Sequence, residues 1–320
     1  MFVLQHGTVA ASLVEQYHQP TRRPGARPRV SRVKGPMTLI KGKVALITGV
    51  ARGQGRAHAS RLAAEGADVV GVDICTQPDH VSIPGATHED LRETERLVSR
   101  AGQRFVAHVG DVRDFGFLRS VVDHTIAEFG RLDIVCASAG VWAISAADGA
   151  VSDAERAGVW ETTIATNLMG AWNTLDAAIP AMIKAGNGGS ITLIGSVASM
   201  SGQLPMDSLG SRVHAAQMGY VASKHALVGL MRSYALALAE HSIRVNCLAP
   251  TGVRTAMSQN EIVEAIGERH PSAFDVFANR MPIDVLEPED VSSVLVHLVS
   301  DSGRFTTGVV LPVDGGFLLR

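Results

Sequence analysis

The chain has 320 residues, 46% of them hydrophobic and 19% charged, which suits one large α/β core rather than two separate domains. A formal net charge of −2 and 5% aromatics give no global pull toward nucleic acid and no base-stacking surface. No apolar run approaches a bilayer-spanning length, and Cys75, Cys136 and Cys247 stand far apart without metal spacing or redox pairing, so they read as buried reduced thiols of a cytoplasmic protein.

Residues 1–36 include the basic, proline-bearing stretch Thr21–Pro36, which lacks the apolar content to build a core and is expected to be disordered. A basic arm for an acidic partner is the alternative. Met1–Ala11 contains His6 and has no preceding positive charge, unlike a secretory signal. Met37 is the expected natural start, with 1–36 a dispensable extension and 37–320 a single domain.

Val44–Thr48 is a short apolar run ended by Gly49 and reads as a buried parallel strand. Apolar residues then recur at helical spacing to Glu65 and stop at Gly66. Ala67–Asp73, Arg104–Val109, Leu132–Ala137, Ile191–Ile194, Ile243–Leu248 and Val309–Val313 read as further strands, with helical patterns over 88–101, 114–129, 153–185, 219–240 and 288–300. The expected architecture is α/β, a Rossmann-like doubly wound parallel sheet of seven strands in a single domain, with its ligand beyond the C-terminal strand ends.

Gly49, Arg52, Gly53, Gln54 and Gly55 lie between the first strand and the first helix. Glycines there permit a tight turn and a close approach of backbone to pyrophosphate; a plain turn is the bland alternative. Asp73 ends the second strand, where a carboxylate can accept hydrogen bonds from the adenosine 2′- and 3′-hydroxyls and repel a 2′-phosphate, so NAD is expected over NADP.

Tyr220 and Lys224 stand one helical turn apart on one face, where the ammonium can favour a phenolate. A phenol near pKa 10 is otherwise a poor base at neutral pH. Ordinary surface pairing also produces such a pair, but Asn167 and Ser196 precede it, Ser196 at the end of a strand-like run. The four together resemble the short-chain dehydrogenase/reductase family, from about Lys41 to the C-terminus.

The resemblance implies a role for each residue. Tyr220 would be general base for alcohol oxidation, and Ser196 would orient the reacting oxygen. Lys224 would also bind the nicotinamide ribose, and Asn167 would hold a proton-relaying water. The Gly-x-x-x-Gly-x-Gly spacing is the family's form, and Asp111 and Val112 match the pair that holds adenine, with helix capping an alternative for Asp111. Gly140 would allow close approach at the nicotinamide ribose. Pro250, Val253 and Thr255 lie in the segment that contacts the carboxamide, or in an ordinary loop, and Asp314-Gly315-Gly316 is structural. Ser138 stands where the family usually has Asn, which puts local rigidity in doubt. Arg52 is of a type that often accompanies NADP use, although Asp73 weighs more.

Two insertions distinguish the chain. Cys75–Thr87 would lie beside the adenosine, and the long interval between Ser196 and Tyr220 would wall the substrate pocket. With the glycine loop and the Lys224–Arg232 segment, they resemble the mycofactocin-coupled, carveol-dehydrogenase-like branch, in which NAD is thought to stay bound while mycofactocin takes the electrons. Val141, Trp142, Ile144, Leu204, Met206 and Met257 are candidate apolar walls for a hydrophobic alcohol or ketone, with core packing the bland alternative. Trp160 and Trp172 read as core or interface. The family commonly forms a homotetramer, and Leu230, Tyr234 and Leu238 would supply a partner face. The alternatives are an NADP-linked carbonyl or 3-oxoacyl-carrier reductase and, more distantly, a non-catalytic NAD-binding sensor. No metal site is expected.

Overall fold

A strand buried along its whole length needs cover on both faces, and Val44–Thr48 (β1) is such a strand in the computed structural model. The structure describes residues 39–144, 152–202, 212–269 and 278–319. The N-terminal stretch, the expected start at Met37 and the wall candidates Leu204 and Met206 lie outside them. The other strands are β2 (Asp68–Asp73), β3 (Phe105–Val109), β4 (Ile134–Ala137), β5 (Gly189–Ile194), β6 (Ile243–Pro250) and β7 (Val310–Val313). All pair in parallel, in the order β3-β2-β1-β4-β5-β6-β7. The order reverses between β1 and β4, and a crevice opens beyond the carboxyl ends of the strands at such a point.

The helices are α1 (Gly53–Ala64), α2 (His88–Arg100), α3 (Phe115–Phe129), α4 (Asp153–Ile164), α5 (Gly170–Ala185), α6 (Arg212–Leu238), α7 (Glu261–Arg269) and α8 (Pro288–Val299). Successive strand residues point to opposite faces. Accordingly Leu46 joins a cluster with Leu118, Leu175 and Met231, while Ile47 joins another with Leu62, Leu295 and Leu298. Local chemistry sets several helix ends. Thr87 and Asp90 form a reciprocal capping box at α2, and Asp114 caps α3, which ends at Gly130 with φ +73°.

The structure refines the sequence pattern in several places. The single helical stretch over 153–185 is broken by one π-helical turn, Ala165–Met169, which carries Asn167. Helix α6 begins at Arg212, earlier than the pattern indicated, and α7 had no counterpart in it. Trp160 and Trp172 are more than a third exposed, so neither belongs to the core of the chain. Leu238 is buried in the chain's own core and so is not free for a partner, whereas Leu230 and Tyr234 are only partly buried against that core; Met218 and Leu236 of α6 are exposed.

The three cysteines are buried and free. Among the described residues, no helix is long and apolar enough to cross a membrane, and no three metal-ligating side chains gather.

Candidate active site

The turn from β1 to α1 is packed glycine against backbone. Gly49 has φ +69°, and a Cβ on it would lie 2.8 Å from the Ala139 Cα; a Cβ on Gly55 would strike the Gly49 carbonyl. Arg52 stands at the N-cap of α1 without making a side-chain cap, and the helix has no acid in its first turn. Its leading N–H groups and the positive end of its dipole are therefore left to an anion. Gln54 adds a buried Oε1 with no partner among the described residues.

This turn lines a cavity of about 190 Å³ between the ends of β1, β2 and β4. Asp73, 8% exposed, closes one end. Its Oδ2 accepts the Ala51 N–H at 2.9 Å and its Oδ1 the Cys75 N–H at 3.2 Å, which aims the carboxylate and leaves acceptor capacity for ribose hydroxyls. The first insertion contributes Thr76, Pro78, Val81, Ile83, Gly85 and Ala86 to the wall. Arg52 is half-buried, and its guanidinium donates to the Pro84 carbonyl of that insertion. Burial lowers its pKa, while Asp90 and Asp73 partly restore it.

Asp111 also lines the cavity. It holds Arg113 through side-chain and backbone bonds of 2.8 Å, and its carboxyl lies below the usual range because those bonds outweigh its desolvation. It does not cap α3; Asp114 does. Val112 is buried against Gly170, and its carbonyl accepts from Asn173 Nδ2 at 3.0 Å. The doubt raised by Ser138 has a structural answer. The Thr48 hydroxyl accepts the N–H groups of Ser138 and Ala139 at 3.1 and 3.2 Å, so β1 and β4 are tied without an asparagine.

At the other end, Gly140, Val141, Trp142, Thr255 and Met257 line the cavity. A Cβ on Gly140 would stand 3.3 Å from Asn167 Oδ1 and 3.7 Å from Lys224 Nζ, so glycine keeps this approach open where a side chain would crowd it. Thr255 faces Gly53, its Cγ2 being 3.2 Å from where a Cβ would sit. Pro250 and Val253 do not line the cavity: Pro250 ends β6 beside Val313, and Val253 is buried opposite Leu286. Ile144 is fully buried in a core cluster with Val159 and Ala216 and is not a wall.

The four candidate catalytic residues meet beside Gly140 and Trp142. Ser196 stands two residues beyond β5 and caps a single 3-10 turn, accepting the Ala198 N–H at 3.2 Å, and its hydroxyl also hydrogen-bonds the Tyr220 phenol. Lys224 is buried, donates to the Ile194 carbonyl at 2.8 Å and lies 5.4 Å from the centre of the Tyr220 ring. Burial pushes the Tyr220 phenol up, and the Ser196 hydrogen bond pulls it part of the way back. The acidifying influence expected of Lys224 thus does not prevail in this geometry. Burial in turn brings Lys224 down to about 8.

Asn167 is 1% exposed, and its amide is committed to protein. Oδ1 accepts the Val141 N–H at 2.7 Å; Nδ2 donates to the Val141 carbonyl at 3.0 Å and to Ser223 Oγ at 3.2 Å. The side chain clamps the chain after β4 onto α6 rather than presenting its donors to a water. Sequence reasoning missed several supports. Ser223 lies inside the Tyr220–Lys224 motif and donates to the Tyr220 carbonyl at 2.7 Å. Thr94 bonds the Val50 carbonyl at 3.0 Å, and Arg56 joins the Ala51 carbonyl to Asp90 at 3.0 Å each, bracing the glycine turn against α2. No local pattern marks these links of Thr94 to Val50 and of Arg56 to Asp90, because the partners are remote in sequence.

A family model described as enoyl-(acyl carrier protein) reductase matches residues 49–318. The (-)-trans-carveol dehydrogenase of Rhodococcus erythropolis is 39% identical over 292 residues, covering 89% of this chain and all of that protein. Among solved structures, a short chain dehydrogenase from Mycobacterium paratuberculosis bound to NAD aligns with TM-score 0.78 and 43% identity, over 88% of this chain and 100% of that one. Carveol dehydrogenase from Mycobacterium avium in complex with NAD aligns with TM-score 0.78 and 38% identity, over 88% and 99%.

Proposed function

The chain belongs to the short-chain dehydrogenase/reductase family, and we propose that it interconverts a hydrophobic secondary alcohol and its ketone, with Tyr220 as the proton carrier. It is an NAD-dependent oxidoreductase, similar to carveol dehydrogenases. The cavity fits that cofactor. The uncapped start of α1 offers N–H donors that suit a pyrophosphate, the unpartnered Gln54 Oε1 can accept only from a hydroxyl or N–H of the dinucleotide, and Asp73 suits an unphosphorylated ribose. Arg52, the one residue that spoke for NADP, is engaged by the Pro84 carbonyl. Asp111 and Val112 would flank the adenine, Ser138 and Gly140 the nicotinamide ribose, and Thr255 the carboxamide; Pro250 and Val253 would act by shaping the Thr255 loop. NAD, when bound, supplies the hydride acceptor.

The chain's own residues manage the proton. The observation that carries the reading is the Ser196–Tyr220 hydrogen bond with Lys224 buried behind it. In oxidation the Tyr220 oxygen takes the proton of the substrate hydroxyl. Ser196 orients that oxygen and donates to it as the carbonyl forms. The Lys224 cation stabilises the phenolate and would reach the ribose hydroxyls past Gly140. Asn167 fixes the Val141 backbone and the Ser223 end of the motif, so proton relay through a water would have to use the lone-pair capacity its amide oxygen retains.

Val141, Trp142 and Met257 give this end an apolar lining, which supports a hydrophobic substrate. The inserted wall beside Asp73 supports retention of NAD through turnover, with mycofactocin as the electron acceptor. Three buried free thiols suit a cytoplasmic location. Tyr220→Phe tests the central claim. It is expected to keep NAD affinity within about twofold and to lower kcat by at least about a hundredfold. Retained turnover would remove Tyr220 from the proton path.

A further inference from the structure

Trp142 is held at both ends. Its backbone follows Val141, which Asn167 clamps through the Val141 N–H and carbonyl. At its far tip the indole N–H donates to Gln217 Oε1 at 3.1 Å. Gln217 is 4% exposed and stands on α6 three residues before Tyr220, on the same side of the helix. Indole has a single polar hydrogen, so the acceptor that takes it sets the ring's orientation. The ring so fixed lines the cavity and leans on Tyr220, with centroids 6.3 Å apart and planes at 49°. A tryptophan of the core would be sealed from the cavity; this one presents a wall to it. Of the apolar residues lining that end, Val141 and Met257 offer no comparable flat surface.

We propose that Gln217 is a positioning residue that holds Trp142 as an aromatic wall beside the Tyr220 hydroxyl, and that this wall makes the enzyme prefer cyclic to short acyclic secondary alcohols. The proposal rests on the hydride-transfer reading above. An indole flank makes broad dispersion contact with a ring-shaped substrate and little with isopropanol, whose two methyl groups barely extend past the carbinol carbon. Neither residue exchanges a proton or a bond with substrate; both act on binding.

Steady-state kinetics with menthol and isopropanol, together with calorimetric binding of menthone to NAD-loaded protein, test this. Trp142→Ala is expected to raise the menthol KM and weaken menthone binding about tenfold, while kcat and both isopropanol parameters stay within about twofold. Gln217→Leu is expected to show the same pattern to a lesser degree, and Gln217→Glu, whose carboxyl oxygen accepts the indole N–H, to restore it. Trp142→Phe keeps a ring against Tyr220 without the N–H, and combining it with Gln217→Leu should add no further loss if Gln217 acts through Trp142. An equal fall in kcat for both alcohols in Trp142→Ala would overturn the proposal, since the indole would then only brace Tyr220. Equal impairment by Gln217→Leu and Gln217→Glu, or no menthone binding to the wild-type protein, would overturn it as well. If the wild-type protein binds menthone yet oxidises neither alcohol, the hydride-transfer reading fails separately, and menthone binding across the variants still judges the wall.

Discussion

Tyr220 and Lys224 sit in a geometry that moves their pKa values apart, the phenol up and the ammonium down to about 8, both through burial. At neutral pH the pair therefore holds both protons, ready for ketone reduction, whereas alcohol oxidation needs Tyr220 to lose one. Oxidation is expected to rise with pH on an alkaline limb governed by this pair. Lys224→Met removes the cation that favours phenolate, so it should shift that limb to higher pH in the kcat/KM profile. An unmoved limb would mean that Lys224 holds cofactor and structure but does not act on the phenol. The Ser196 hydroxyl acts on the same phenol, pulling it downward through its hydrogen bond.

Helices α1 and α8 meet through His58, which is fully buried. The Ser292 hydroxyl gives its hydrogen to the Pro288 carbonyl at 2.8 Å, so His58 Nδ1 carries the ring proton and donates to Ser292 Oγ at 2.8 Å. Nε2 is left buried without a partner among the described residues. Burial lowers the folded-state pKa from 6.5 to about 3. The unfolded chain thus binds a proton that the folded chain refuses over this window. Stability is fully present above about pH 6.5 and falls as pH drops toward 3, by about 1.4 kcal/mol per unit from this group. His58→Gln cannot take the proton, so its urea midpoint should change less between about pH 7 and pH 5 than that of the wild type. Parallel slopes would discount the assignment. The insertion Cys75–Thr87 is the other element with a measurable consequence. It walls the cavity and is fastened to the glycine turn through Arg52 and Pro84. Extensive dialysis without cofactor followed by acid release should yield stoichiometric NAD; empty protein would argue for an enzyme that exchanges its cofactor at each turnover.

Assembly is proposed at the exposed apolar residues of the two adjoining helical stretches. Trp160, Met169 and Trp172 are exposed along α4, the π turn and α5, and Met218 and Leu236 along α6. Exposed groups of this kind mark association surfaces. Leu236 is 84% exposed and makes no demand on the fold of one chain, so Leu236→Glu should leave the thermal midpoint nearly unchanged. Light scattering at micromolar concentration should give a tetramer for the wild type and smaller species for Leu236→Glu. A monomeric wild type would remove the assembly from the reading.

Each of the seven strands was legible in the sequence because a parallel strand is written locally, as a short apolar run closed by glycine or a polar turn, even at the only partly buried edges β3 and β7. The Gly49–Gly55 loop, Asp73 and the Tyr220–Lys224 pair were legible for the same reason, since their chemistry lies within one turn or one strand end. Residue spacing could not show that a π turn would place Asn167 on the Val141 backbone, because helix and π-bulge share an apolar pattern. Nor could it show that Thr48 replaces the missing asparagine, that Ile144 is core while Trp142 is wall, or that Leu238 turns inward. Those outcomes depend on which residues meet across long stretches of chain. The sequence by itself determined the elements and the chemical groups available; tertiary packing alone decided their partners, their burial and hence the proton affinities of Tyr220 and Lys224.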